Sequence, residues 1–234
     1  MTAKAAIITG ASQGIGAALL AAYRQAGYAV VGVALSMPAS EDPDLVPVEG
    51  DVAHPDTAQR AAQAALDRFG RIDSLINNAG IYIGKPFTEY TLDDYNAITA
   101  VNLTGFFHMT QQVIPTMVEQ GSGHIVVVST SLVDDADSQR PAGLPALTKG
   151  GLVAAARSLA IEYASRGVRA NAVSLGVIRT PSHDAASYEG LGSLHPLGRV
   201  GDVSDVVDGI LYLERATFVT GETLHIDGGQ VAGH

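Results

Sequence analysis

The stretch Ala5-Ala6-Ile7-Ile8-Thr9-Gly10-Ala11-Ser12-Gln13-Gly14-Ile15-Gly16 decides how the rest of the chain reads. A short apolar run ends at Thr9, glycines follow at positions 10, 14 and 16, and Ala17–Tyr23 continues with helix-forming residues. A glycine-rich turn between a strand and a helix N-terminus lets the backbone approach a pyrophosphate closely. The exposed N–H groups and the positive end of the helix dipole then stabilise the phosphate charge. Gly10, Ser12, Gln13, Gly14, Ile15 and Gly16 are therefore candidate phosphate-binding residues.

Working outward, apolar β-rich runs recur at Ala29–Leu35, Leu45–Val48, Ser74–Asn77, His124–Ser129, Val168–Ser174 and Thr223–Ile226. Most neighbours are separated by a helix-like stretch. Continuous rather than alternating hydrophobicity means strands covered on both faces, and right-handed crossovers then give a parallel sheet between helical layers. The exception is Ser36–Asp44, too short and Pro-rich for a full helix and expected to be a loop or single turn. Leu92–Gln120 and Ala146–Ser165 read as two long packing helices, buried against the sheet or against a second subunit. No linker, repeat or low-complexity tract divides the chain, so one domain over residues 1–234 is expected.

Composition narrows the functional classes. The 234 residues include no cysteine, which removes disulfides, thiol nucleophiles and Cys-based zinc sites. A formal net charge of −10 has the wrong sign for binding phosphate backbones, so nucleic acid is not an expected partner. No stretch approaches the roughly 18 apolar residues of a membrane span, and the expected location is the cytoplasm. Asp134, Asp135 and Asp137 form an acidic cluster, read as solvated loop residues rather than as a metal site.

Matches spread along the chain resemble the short-chain dehydrogenase/reductase family. Thr9, Gly10, Gly14 and Gly16 fill that family's Thr-Gly-x-x-x-Gly-x-Gly fingerprint. Asp51-Val52 resembles its adenine-contacting pair, and Asn77-Asn78-Ala79-Gly80 its Asn-Asn-Ala-Gly element. Val101-Asn102 resembles the segment carrying its structural and catalytic Asn, Asn171–Gly176 its Asn-Ala-Val-x-Pro-Gly turn with Leu175 in place of Pro, and Asp227-Gly228-Gly229 its C-terminal signature. The resemblance implies a Rossmann-type, doubly wound, seven-stranded parallel sheet flanked by helices, holding NAD or NADP. It adds Asp51, Val52, Asn78, Ala79, Gly80, Lys149, Gly176, Ile178 and Thr180 to the cofactor-binding candidates, with Ile178 backbone and the Thr180 hydroxyl meeting the nicotinamide carboxamide.

Ala34 stands where the NAD-preferring members carry Asp, and Gln13 where many NADP-binding members carry Arg or Lys. Ser36 is the remaining polar candidate near the adenosine ribose, and the lack of a cation favours NAD. At the catalytic end the resemblance implies Asn102, Lys149 and a hydroxyl from Thr130, or alternatively Ser131. The family's proton donor, however, is a Tyr placed four residues before the Lys, and here that position is Pro145. No Tyr occurs between Tyr95 and Tyr163, so no shift of alignment restores one. Pro145 suits the first turn of a helix, where its missing N–H costs nothing.

Three readings follow. The first is an oxidoreductase acting on a small carbonyl or alcohol substrate, with a proton source other than the family's Tyr. Lys149 through a water is one such source; the covering loop around residues 180–197 offers others, with Tyr188 and His183 ahead of Asp184, Glu189 and His195. The second reading is a nucleotide-binding protein without redox chemistry, and the third a dehydratase or isomerase using Lys149 and Thr130. Ile81, Tyr82, Leu132, Val133 and Leu144 would suit an apolar ligand. The resemblance implies a homotetramer or homodimer through the two long helices.

Overall fold

The structure is a computed structural model that describes residues 3–180, 188 and 190–233. Its frame is a seven-stranded parallel sheet formed by β1 (Ala5–Thr9), β2 (Ala29–Ala34), β3 (Leu45–Glu49), β4 (Ser74–Asn77), β5 (Gly123–Thr130), β6 (Val168–Leu175) and β9 (Thr223–Ile226), in the order β3-β2-β1-β4-β5-β6-β9. The two-residue strands β7 (Ile178–Arg179) and β8 (Gly201–Asp202) pair with each other beside it. The expected strands thus lie where the apolar runs are, and Ser36–Asp44 joins β2 to β3 without a helix.

Burial on both faces explains the continuous apolar runs. Along β1, Ala6 and Ile8 point into one layer with Leu19, Tyr23, Ile210 and Leu213, from α1 (Gly14–Gln25) and α6 (Val203–Arg215). Ile7 points into the other with Ala61, Ala65, Val113 and Met117, from α2 (Pro55–Phe69) and α4 (Gly105–Gln120). Helix α5 (Gly143–Tyr163) packs Leu152, Val153 and Ala156 against Val127 and Ala172 of the sheet. It begins three residues before the expected start, which places Pro145 within its first turn.

The expected long helix from Leu92 to Gln120 is divided. Helix α3 (Leu92–Thr99) is fixed by a capping box between Thr91 and Asp94, and a π-helical turn over Ala100–Thr104 joins it to α4. Such a turn inserts an extra residue without breaking the helical path, so an apolar pattern reads through it. Strand order reverses at β1, leaving a crevice between the C-terminal ends of β1 and β4, the usual ligand position in open α/β sheets. Among the described residues no helix is long and apolar enough to cross a membrane.

Candidate active site

The glycine turn sits at that crevice. Gly10 and Gly14 have φ of +67° and +54°, backbone that L side chains rarely adopt. Gly16 is required for a different reason: a Cβ there would lie 2.0 Å from the Gly10 carbonyl oxygen, so helix α1 could not approach the turn. Gln13 is extended and supplies no side-chain cap, and the first N–H groups of α1 have no intrahelical acceptor. Ser12 and Gln13 are exposed, Ile15 half-buried. This cradle, which side chains would fill, fits a dinucleotide pyrophosphate.

Thr9 ties the turn to the strand beyond it. Its Oγ1 accepts from Asn78 N–H at 3.0 Å and Ala79 N–H at 2.9 Å, while Asn78 Nδ2 donates to the Thr9 carbonyl at 2.8 Å. At the other rim, the Thr180 methyl lies 3.7 Å from where a Cβ on Gly14 would be. Asp51 and Val52 leave β3 together: Asp51 accepts from Ala53 N–H at 2.9 Å, and Val52 is buried against Gly105 of α4. Ala34 is buried, Leu35 and Ser36 are exposed, and Glu49 is paired in register with Ala34. The Glu49 carboxylate accepts from Met37 N–H at 3.1 Å, which sets a negative charge beside the end of β2.

At the centre, Gly80, Asn102 and Lys149 converge. A Cβ on Gly80 would stand 2.8 Å from Lys149 Nζ and 3.2 Å from Asn102 Oδ1. Asn102, buried in the π-helical turn, accepts from Ile81 N–H at 2.9 Å and donates through Nδ2 to the Ile81 carbonyl and Thr148 Oγ1, each at 3.1 Å. Lys149 Nζ donates to the Val128 carbonyl at 2.8 Å. Loss of solvent pulls the Lys149 ammonium from its ordinary 10.5 down to about 8.

The two hydroxyl candidates separate. Ser131 is buried and donates to Gln230 Oε1 at 3.0 Å, a link to the C-terminal segment. Thr130 ends β5 half-buried, its Oγ1 facing Leu132 N–H at 3.4 Å. The Tyr188 hydroxyl accepts from Thr180 N–H at 2.9 Å and donates to the Thr180 carbonyl at 3.2 Å. His183, Asp184 and Glu189 lie outside the described residues.

His195, named above among the loop's proton sources, is only 3 % exposed, and its ring bridges two backbone segments. In the acidic cluster Asp134 is exposed and Asp135 and Asp137 are half-buried: Asp134 meets His225 Nε2 at 3.3 Å, Asp135 accepts from Gln230 at 2.9 Å, and Asp137 accepts from Arg140 at 2.7 Å. Sequence reasoning also missed Thr9 and Thr148 as hydrogen-bonding supports, and Glu49 as a charge beside Ala34 and Met37. Thr148 had a local signal in its place beside Lys149; Glu49 had none, since its relation to Ala34 exists only across the sheet.

The comparisons with known proteins agree with this geometry. A family model described as Enoyl-(Acyl carrier protein) reductase matches residues 10–230. Glucose 1-dehydrogenase of Gluconobacter oxydans is 32% identical over 243 residues, covering 97% of this chain and 91% of that protein. The 3-oxoacyl-[acyl-carrier-protein] reductase of Synechocystis is 34% identical over 244 residues, covering 99% and 98%. The solved structure of ElxO with NADP bound superposes with a TM-score of 0.91 at 27% identity, covering 100% of both chains. With the glycine cradle, the parallel sheet and the Asn102–Lys149 centre in place, these matches establish that the chain belongs to the short-chain dehydrogenase/reductase family of oxidoreductases.

Proposed function

We propose that the protein transfers hydride between a nicotinamide dinucleotide and a small carbonyl or alcohol substrate, with Lys149 in place of a phenol as the proton source. The observation that carries this reading is an ammonium lowered to about 8 where Lys149 meets Gly80 and Asn102, on a helix whose first turn holds Pro145. When bound, the dinucleotide supplies or accepts the hydride. Gly10, Gly14, Ile15 and Gly16 would present backbone to its pyrophosphate, Asp51 and Val52 would hold its adenine, and the Ile178–Thr180 backbone would meet its nicotinamide. Lys149 supplies a proton to the carbonyl oxygen directly or through one water, and Thr130 orients that oxygen. A proton donor near neutrality matches general acid catalysis, because the correct protonation state and the driving force for transfer coexist there.

NAD is the preferred dinucleotide on this reading. Ala34 offers no acceptor, but Glu49 beside it does, and its charge repels a 2′-phosphate. The names of the two relatives, a glucose dehydrogenase and a 3-oxoacyl reductase, both concern chemistry at a carbonyl or alcohol carbon, which supports that substrate class.

The test follows nicotinamide absorbance with NADH and NADPH over a carbonyl panel from pH 6 to pH 9. Expected is slow turnover that falls as pH rises through about 8, where Lys149 loses its proton. Lys149→Ala should lower the rate by about 10²–10⁴, and Pro145→Tyr should raise it. Turnover unchanged in Lys149→Ala overturns the role of Lys149. Nucleotide binding without turnover across the panel favours the second reading, a nucleotide-binding protein without redox chemistry, which the presence of Pro145 motivates.

A further inference from the structure

We propose that His195 is a positioning residue for the nicotinamide end of the site, a neutral imidazole that holds the Gly176–Thr180 backbone against the cleft; this rests on the oxidoreductase reading above. The last hydrogen bond of the main sheet on this segment is Gly176 N–H to the Ile226 carbonyl at 3.1 Å. Beyond it, Val177 is gripped from two sides. Its carbonyl accepts from Gly201 N–H at 2.8 Å, within the β7–β8 pairing. Its N–H donates to His195 Nε2 at 3.3 Å.

That second bond specifies the state of the ring. Nε2 must carry a lone pair, so the proton belongs on Nδ1, which faces the Asp227 carbonyl at 2.6 Å. Asp227 is itself fixed, its carboxylate accepting from Gly229 N–H at 2.9 Å and Val231 N–H at 2.8 Å. The ring packs against Gly176, where a Cβ would come 2.6 Å from Cε1. At the far end of the same short segment, Thr180 rests 3.7 Å from the Cβ position of Gly14. The backbone between the two anchors therefore spans from the imidazole to the glycine cradle, and a shift at Val177 moves the groups that would face the nicotinamide. A side chain that merely filled the space would leave the Val177 N–H without its acceptor.

The experiment compares calorimetric titrations with NADH and with ADP-ribose, which lacks the nicotinamide, in the parent protein and in His195→Phe. Expected is a loss of about tenfold in NADH affinity, the size of one or two hydrogen bonds, with less than a twofold loss for ADP-ribose. His195→Asn keeps a donor toward Asp227 without reaching Val177; it should give the same selective loss and carries the test if the Phe variant does not fold. His195→Gln, with both a donor and an acceptor, should recover NADH affinity to within about threefold of the parent. Equal losses for both probes, or none, overturn the assignment alone. A parent protein that binds neither probe overturns the oxidoreductase reading and the assignment with it.

Discussion

Reversing the charge of Glu49 is the most direct way to read the dinucleotide preference. Its carboxylate belongs to the strand next to Ala34 and reaches the turn after β2 through Met37 N–H. Glu49→Lys replaces an acceptor for a ribose hydroxyl with a cation suited to a 2′-phosphate. The ratio of NAD to NADP affinity should fall by about tenfold, and Glu49→Gln should fall between the two, because it removes the repulsion without adding attraction. Both are measured by fluorescence titration with NADH and NADPH; an unchanged ratio in Glu49→Lys removes Glu49 from the ribose pocket. The same residue marks where sequence reading ends. The glycines at 10, 14 and 16 were legible because their meaning is local, a turn and a close approach within one βα unit. Glu49 was silent because its neighbour comes from register between strands, and the burial of His195 was hidden because its partners, Val177 and Asp227, lie 18 and 32 residues away.

At the scale of elements, one polar group that joins helices to sheet is Glu214, in the last turn of α6. It accepts from the Tyr23 hydroxyl of α1 at 3.0 Å, Tyr28 at 3.0 Å, Ser74 of β4 at 2.9 Å and His124 Nδ1 of β5 at 2.9 Å. The carboxylate is buried, which alone would favour its neutral form, but these donors hold its pKa well below the usual carboxylate range. Glu214→Ala leaves several buried donors unmatched and should cost roughly 3–5 kcal/mol in urea unfolding. Tyr23→Phe removes one donor and should cost only about 1 kcal/mol. A Glu214→Ala loss below that of Tyr23→Phe would show that the carboxylate does not organise the group. Strands and most helices were legible because continuous apolar runs between helical stretches have few other solutions. The π-helical turn and the Glu214 cluster were not. The turn preserves the helical pattern, and the cluster gathers isolated polar residues from distant parts of the chain.

Across the whole molecule two electrostatic effects oppose each other on acidification. The chain carries a formal charge of −10 at pH 7 and a pI of about 5.0, so lowering the pH relieves repulsion at the surface. The buried cluster responds with the opposite sign. His124 is held neutral because burial disfavours its charged form, and its Nε2 takes the lone-pair role toward Asn171 Nδ2 at 3.0 Å. Its folded pKa therefore lies below 6.5, so the unfolded chain takes up a proton first and stability falls as pH drops below that value. Glu214 adds a second loss as pH drops below 4.5, since its folded pKa is also depressed. Salt separates the two effects: at about 0.5 M the Debye length is roughly 4 Å, which suppresses surface repulsion but leaves a buried cluster almost unscreened. In thermal melts at that salt concentration, Tm should decline from about pH 6.5 to pH 5 and more steeply below 4.5. In dilute buffer the first decline should be shallower, because relief of repulsion offsets it. His124→Gln keeps a hydrogen-bonding side chain but cannot titrate, so it should flatten the upper step alone. If the upper step persists unchanged in that variant, the acid sensitivity arises outside the cluster.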